Sequence, residues 1–184
     1  PVLISKIIFE LFGIRASIHK EKNKNTSILL ISSKNICSLL NEKFEIKYGH
    51  KIRNKTIIPR QILGNKKLSI ACLRGLIDTD GYIGRRGRKG SQFCIQFGSH
   101  NKYLLKQVYN LGKRLGIFTF CDEFGCGTNK WENIEKYFLL VGSSNLRHII
   151  RFHLRKFENK TIYQREVIEY YDKKIYKDLK LPFR

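Results

Sequence analysis

The sequence predicts an α+β fold with two pseudosymmetric repeats, each of order αββαββα, the first truncated at its amino-terminal end. An internal repeat is the first reason for this prediction: the segments 27–40 (SILLISSKNICSLL) and 137–150 (YFLLVGSSNLRHII) align without a gap. Both read as an apolar strand, two small residues and an amphipathic helix. Strand alternation is the second reason, because QFCIQF places Phe93, Ile95 and Phe97 on one face and polar residues on the other.

The elements in front of each copy also repeat. A helix ending in a Gly-Ile step, FELFGI at 9–14 and GKRLGI at 112–117, precedes an alternating segment in both copies. Both copies therefore have the order helix, strand, strand, helix. An amphipathic closing helix with a basic end is predicted over 161–183.

Only the second copy has three further elements ahead of this unit. They are a helix over 66–80, a strand from Tyr82, and a second strand that follows a hairpin tip. A helix capped by Ser99 or Asn101 comes next. The first copy lacks the leading α-β-β part in this sequence, and we expect that Pro1 lies partway through that repeat, in agreement with the absence of Met.

The repeats define the expected domains. We predict the carboxy-terminal part of a first repeat over 1–63, and a second repeat with its motif helix and closing helix over 64–184. The upstream part of the first repeat is expected to be missing from this sequence.

The charge balance indicates a polyanionic partner. The chain has 36 Lys and Arg against 15 Asp and Glu, a formal net charge of +21. Nucleic acid is the first candidate and a membrane surface the second. The sequence contains no apolar run of spanning length and no secretory signal, so an intracellular protein, in the cytoplasm or a eukaryotic organelle, is expected rather than a secreted one. Five unevenly spaced cysteines predict reduced, buried thiols.

The segment LRGLIDTDG at 73–81 ends an apolar helix on two acidic residues and a glycine. Gly75 and Thr79 lie four residues apart, so they form a small-residue stripe on which a second helix can pack closely. A twin helix would bring two acidic ends together, and carboxylates at the negative end of a helix dipole are costly unless a cation offsets them. Magnesium (Mg²⁺) suits such oxygen ligands. The alternative without a functional role is an ordinary Asp-rich turn that joins the helix to the following strand.

This nonapeptide resembles the one that names the LAGLIDADG homing endonucleases. IIPRQIL before it, the strand pair after it and the αββαββα order are similar to that family as well, so the resemblance covers essentially the whole chain. Arg74 departs from the pattern, which has Ala there. The resemblance implies a LAGLIDADG homing endonuclease fold with an antiparallel, saddle-shaped sheet. It also implies a site-specific double-strand DNA endonuclease, borne by an intron or intein, that hydrolyses phosphodiesters with a divalent metal.

The resemblance assigns roles at the site. Asp80 is the expected metal ligand and catalytic residue, and Asp78 is expected to cap or orient local backbone. Lysines beyond the third helix of each repeat would polarise the attacking water, with Lys156 as an alternative in the second repeat, or would be ordinary solvated lysines. Polar positions late on the second strand would hold water near the metals, or would be ordinary strand and capping residues. The residues in these two groups are Lys51 and Lys160, then Gln96 and Ser99.

DNA contacts are expected from the polar sheet face, because a two-stranded ribbon fits the major groove. The tip GRRGRKG carries four basic residues that reach phosphates or guanine edges, and two glutamines nearby can address adenine. The tip of the first repeat supplies three lysines. These residues are Arg85, Arg86, Arg88 and Lys89, then Gln92 and Gln96, then Lys20, Lys22 and Lys24. A merely solubilising hairpin is the alternative.

Other function classes remain open from the sequence. An RNA splicing maturase would take intron RNA as its partner, and a catalytically inactive relative would bind DNA without cutting it. A basic ribosome-associated protein explains the charge but not the acidic pair beside a small-residue stripe. Because the chain has one motif, we expect a monomer completed by an upstream motif helix, or a homodimer; this fragment alone could be inactive.

Overall fold

A computed structural model describes residues 2–20, 27–50, 52–86, 92–162 and 166–167 of the chain. It divides into two compact units, Pro1–His50 and Lys51–Arg184. Most of the predicted closing helix lies outside the described residues. The same holds for five predicted site residues, Lys22, Lys24, Lys51, Arg88 and Lys89.

The first unit has the predicted order helix, strand, strand, helix. Its elements are α1 (Val2–Phe12), β1 (Ser17–Lys20), β2 (Ser27–Leu30) and α2 (Lys34–Phe44). The two strands pair antiparallel, with Ser17 opposite Leu30. Helix α2 begins where its sequence predicts, because the Ser33 hydroxyl accepts a hydrogen bond of 3.3 Å from the Ile36 N–H.

Unit 1 has apolar surface without a core. Among its described residues none is buried, and large apolar side chains such as Leu11, Ile18 and Ile28 are exposed. The described residues of unit 1 therefore leave these apolar side chains open to solvent.

The second unit contains a full repeat. Its elements are α3 (Arg60–Gly64), α4 (Lys66–Asp80), β3 (Gly81–Arg86), β4 (Gln92–Phe97), α5 (Lys102–Arg114), β5 (Phe120–Cys121), β6 (Cys126–Thr128), α6 (Trp131–Leu140) and α7 (Leu146–Glu158). From α4 to α6 the order is αββαββα, which confirms the predicted fold class. Helix α7 follows as one further element.

The sheet of unit 2 is antiparallel throughout, with strand order β3-β4-β6-β5. Phe93, Ile95 and Phe97 of β4 are all buried, as their alternation predicts. They join one core with Leu73 and Ile77 of α4 and with apolar residues of α5. Helices α4 and α5 therefore cover the apolar face of the sheet.

The opposite face of β4 is less open than predicted. Cys94, which alternates with Phe93 and Ile95 and so shares the face of Gln92 and Gln96, is only 2% exposed. Its cross-strand partner is Gly84, and a Cβ at that glycine would lie 3.4 Å from Cδ of Arg151 in α7. Helix α7 packs against β3, so this part of the face is covered.

The predicted strand YFLL at 137–140 is wrong, because this segment ends helix α6. Ile134, Tyr137 and Val141 are fully buried at spacings of three and four, whereas Leu139 is 85% exposed, which is a helical pattern. In the order of elements, β2 and α2 of the first unit therefore correspond to β6 and α6 of the second unit. Trp131 starts α6, where its ring stacks on Phe152.

Two smaller predictions have mixed outcomes. All five cysteines are free thiols, but Cys37 and Cys121 are exposed, so burial was wrongly predicted for them. Helix α5 is capped by Asn101, whose side-chain oxygen accepts from the Tyr103 N–H at 3.1 Å, and the Ser99 hydroxyl accepts from the Asn101 N–H. In the part of the chain that the structure describes, none of the helices is long and apolar enough to cross a membrane.

The segment before α4 is fastened to α5. The Ile58 N–H donates to the Gln107 side chain at 2.6 Å, and the Asn101 amide donates to the Thr56 carbonyl at 2.6 Å. Residues 56–63 therefore belong to the second compact unit, while the repeat boundary at 63/64 stays a prediction.

Close packing of β4 against β6 predicts a stability effect. A Cβ at Gly127 would lie 1.9 Å from the Ile95 carbonyl oxygen, so Gly127→Ala is expected to lower the free energy of unfolding by about 3 kcal/mol. Urea unfolding measures the change. Gly64→Ala is the control, because a Cβ there meets no atom within 4 Å. Equal stability of the two variants would contradict the β4–β6 pairing.

Candidate active site

Asp80 is the last residue of α4 and is exposed. The helix is fixed at its start by Asn65, whose side chain accepts from the Leu68 N–H at 3.1 Å, and along its length by buried Leu73 and Ile77. Gly81 follows directly; a Cβ there would lie 2.6 Å from the Ile77 backbone. Only glycine allows the chain to enter β3 so tightly, which leaves Asp80 at the point of the turn.

The small-residue stripe lies on an exposed face of α4. Ala71, Gly75 and Thr79 are exposed, and a Cβ at Gly75 would meet no atom within 4 Å. The Thr79 hydroxyl donates to the Gly75 carbonyl at 2.9 Å and thus turns back onto its own helix. This face leaves room for the close approach of another helix.

Gly75 allows a test of that face. Gly75→Ala is expected to stabilise the isolated chain by up to about 1 kcal/mol, because alanine is the better helix former and its methyl group meets no neighbour. The same methyl group would obstruct a twin helix, so the metal-dependent DNA cleavage that the resemblance of the motif implies is expected to fall. Urea unfolding and a cleavage assay measure the two effects; a variant that is more stable and equally active would contradict the twin-helix role.

Asp78, two residues before Asp80, is bound to the loop between α6 and α7. Its carboxylate accepts hydrogen bonds from the Ser143 hydroxyl and, at 2.7 Å, from the Ser144 N–H. Its carbonyl oxygen accepts from the Asn145 side-chain amide at 2.9 Å. Asp78 therefore has a structural role, as expected, but the residues that it binds are 65 to 67 positions later in the chain rather than local.

Arg74, one turn earlier on the same helix, holds the other end of this loop. Its Nε donates to the Val141 carbonyl at 2.6 Å, at the carboxyl end of α6. The cation thus lies at the negative end of α6 and the Asp78 anion near the positive end of α7, as the two helix dipoles favour. The departure of Arg74 from the motif is explained by this contact.

The Asp78 carboxyl is half-buried and ionised. Burial alone would raise the pKa of its carboxyl, but the neighbouring His148 imidazole, Ser143 hydroxyl and Ser144 N–H together hold that pKa below its ordinary value. His148 is 4% exposed, with Nδ1 3.7 Å from the carboxylate. Burial, and secondarily the Asp78 charge, raise the pKa of Tyr137. The ionised Asp78 is thus built into the packing of unit 2.

Gln96 and Ser99 lie at the same end of the β3–β4 hairpin as Asp80. Gln96 is opposite Tyr82, which follows Asp80 by two residues, and Ser99 comes just after β4. The Gln96 side chain is half-buried over Gly125, where a Cβ would lie 2.5 Å from its Nε2. The structure brings these three predicted residues into one region.

The lysines of the second repeat are placed differently. Lys160 follows the carboxyl end of α7, which is about 20 Å along this helix from the end that Asp78 holds. Lys156 forms an ion pair with Glu135 at 3.2 Å. The structure does not bring Lys160 to Asp80.

The predicted DNA-contact residues fall on two faces. Arg86 and Gln92 are exposed cross-strand partners on the face opposite Phe93, whereas Arg85 shares the face of Phe93 and is half-buried. The Asn129 amide donates to the Gln92 side-chain oxygen at 3.4 Å. In unit 1, Lys20 ends the exposed strand β1.

Among the described residues, Asp80 is not part of a larger cluster of metal-ligating side chains. Those residues contain no group of three or more His, Cys, Asp or Glu that could hold an ion. Asp80 offers one exposed carboxylate, and Mg²⁺ in proteins is bound through one or two carboxylates with waters and substrate phosphates completing its shell. The donor type and exposure of Asp80 fit a metal that DNA and a second carboxylate help to bind.

The sequence model described as the LAGLIDADG-like domain matches residues 67–176, which is more than half of the 184 residues. The match begins at the start of α4 and includes β3 to β6 and helices α5 to α7. Comparison with curated proteins gives no match.

Proposed function

Since the chain belongs to the LAGLIDADG homing endonuclease family, we propose that it is a site-specific DNA endonuclease that hydrolyses phosphodiesters with Mg²⁺ bound at Asp80. Its substrate is double-stranded DNA, and the intron- or intein-borne type is the proposed context. One motif acts on one strand, so cutting both strands requires a second acidic helix end. A homodimer or an upstream motif helix would provide it.

One observation carries this proposal: the two acids of the motif have opposite environments. Asp78 is bound by three donors from the α6–α7 loop. Asp80 is exposed, and within the described part of the chain its carboxylate has no hydrogen bond or ion pair. A carboxylate kept free at a fixed helix end, in a chain of charge +21, supports a role toward a cation and an anionic substrate.

The residues of this chain have distinct proposed tasks. Asp80 binds the metal, which when bound lowers the pKa of a water nucleophile and stabilises the leaving oxygen. Gln96 and Ser99 hold water near that site. Lysines provide positive charge for the transition state, with Lys51 as candidate in the first repeat and Lys160 in the second; the placement of Lys160 at the far end of α7 weakens its candidacy.

DNA binding is proposed for the tips of both repeats and for the polar face of the β3–β4 hairpin, outside the part around Gly84 and Cys94 that α7 covers. Arg86, Gln92 and Gln96 share this face, and Arg86 and Gln92 are exposed. Such side chains can reach phosphates or base edges in a major groove. Phosphate contacts then supply affinity, while base contacts supply specificity.

Salt dependence tests the proposed phosphate contact of Arg86. Arg86→Ala is expected to weaken DNA binding and to reduce the slope of log K against log salt by about 1. Fluorescence anisotropy at several salt concentrations measures both. Lys113→Ala is the charge-matched control, because Lys113 lies on α5, which packs on the apolar face of the sheet. Identical slopes for the two variants would contradict the assignment.

A cleavage assay tests the function itself. Supercoiled DNA carrying the uninterrupted host site is incubated with the chain in Mg²⁺ or in EDTA. Nicking or linearisation that requires Mg²⁺ and the host site is expected. A maturase or an inactive DNA-binding relative would bind nucleic acid without metal-dependent strand scission, and that result would overturn the proposal.

A further inference from the structure

Helix α7 touches the chain on both sides of Asp80. At its amino-terminal end, the loop residues Ser143 and Ser144 bind the Asp78 carboxylate. Farther along the helix, which begins at Leu146, Arg151 donates to the Ile83 carbonyl of β3 at 3.1 Å. Asp80 thus lies between two points of the chain, one held by the α6–α7 loop and the other by α7.

Arg151 makes an extensive contact with β3. Besides its hydrogen bond to Ile83, its guanidinium carbon lies 5.3 Å from the centre of the Tyr82 ring, and its aliphatic part packs on Gly84. Among the described strands, β3 is at the edge of the sheet, so its outward carbonyl groups have no strand partner there. The hydrogen bond from Arg151 to the Ile83 carbonyl takes the place of a bond that a neighbouring strand would make. Ile95 of β4 is the cross-strand partner of Ile83.

Burial of this guanidinium is costly. Arg151 is 6% exposed, and within the described residues its Nε has no hydrogen-bond partner. Burial lowers the pKa of Arg151, because removing the charged guanidinium from water costs free energy. A leucine could cover the strand more cheaply, because it carries no charge to desolvate. What an apolar residue cannot do is fix a carbonyl and a ring at the same time.

We propose that Arg151 is a positioning residue that holds β3, and thereby fixes the direction of Asp80 and of the DNA-facing side of the β3–β4 hairpin. The inference rests on the proposed nuclease function for its effect on catalysis. Within the described residues, the Asp80 carboxylate makes no hydrogen bond or ion pair that would orient it. Its orientation therefore depends on Asp78 before it and on β3 after it.

The experiment compares three variants of the full chain. Arg151→Met removes the hydrogen bond and the charge, Arg151→Lys keeps a cation that can donate, and Arg147→Met removes the same charge from an exposed position one turn earlier on α7. Cleavage is measured as a single-turnover rate at saturating DNA, together with DNA affinity and the thermal midpoint. Hydrogen exchange of the β3 amides reports on the strand directly.

Arg151→Met is expected to cleave about 10- to 100-fold more slowly, with DNA affinity near that of Arg147→Met and faster exchange in β3. Arg151→Lys is expected to recover part of the rate. Unchanged exchange in β3, or a rate equal to that of Arg147→Met, would overturn the proposal. If the wild-type chain does not cleave DNA at all, the nuclease function fails, and exchange in β3 still decides whether Arg151 holds the strand.

Discussion

Asp80→Asn is expected to slow Mg²⁺-dependent DNA cleavage by at least about 10²-fold while DNA affinity and stability stay near those of the wild-type chain. Asparagine keeps the shape of the side chain but lacks the charge that binds a cation. Stability should not change, because Asp80 is exposed and has no bonded partner in the described part of the chain. Single-turnover cleavage, anisotropy and urea unfolding provide the three measurements.

The control for this variant is Glu132→Gln, which makes the same charge change at an exposed position in the first turn of α6. Loss of one negative charge strengthens binding of a basic protein to DNA slightly, and the control gives the size of that effect. Wild-type cleavage by Asp80→Asn would remove the residue from the chemistry. Equal loss of cleavage in the control would show a general charge effect instead.

Asp78→Ala is expected to lower the free energy of unfolding of unit 2 by about 3 kcal/mol at neutral pH. The change removes the acceptor for the Ser143 hydroxyl and the Ser144 N–H and leaves His148 without its neighbouring charge. Helix α7 would lose its attachment to the motif helix. Urea unfolding of the full chain measures the loss.

The effect of Asp78 should depend on pH in a defined direction. The fold lowers the pKa of the Asp78 carboxyl, so its stabilisation is fully present above the pKa of an unfolded aspartate, about 3.9, and is lost as pH falls through the folded value. The difference between wild type and Asp78→Ala should therefore shrink toward acidic pH. Asp78→Asn, which keeps one acceptor, should lose less stability. A constant difference at every pH would contradict the ionised, bonded Asp78.

Local sequence pattern predicted most of the second repeat. The motif helix, the β3–β4 hairpin and α5 follow from apolar periodicity and turn or cap residues, and their order is confirmed. The prediction of a strand at YFLL (137–140) was wrong because four consecutive apolar residues are compatible with a strand and with a helix. Only the spacing of Ile134, Tyr137 and Val141 across a longer window distinguishes the two.

The candidate site was less predictable than the fold. Asp80 and Gly75 are found from the motif itself, but Asp78 and Arg74 are explained by residues more than sixty positions later, in the α6–α7 loop. His148 and Arg151 carry no local signal either, because on an amphipathic helix they read as ordinary polar residues. Tertiary contacts alone give these side chains their roles, and a single sequence does not record them.

Metal location in a DNA complex tests the assignment of the two acids most directly. Crystals of the chain with its host-site DNA and Mn²⁺ in place of Mg²⁺ would show the ion by anomalous scattering. We expect a peak at coordination distance from an Asp80 carboxylate oxygen and from a DNA phosphate oxygen, with Asp78 still bound to Ser143 and Ser144. A metal bound at Asp78, or DNA bound with Asp80 away from both metal and phosphate, would contradict it.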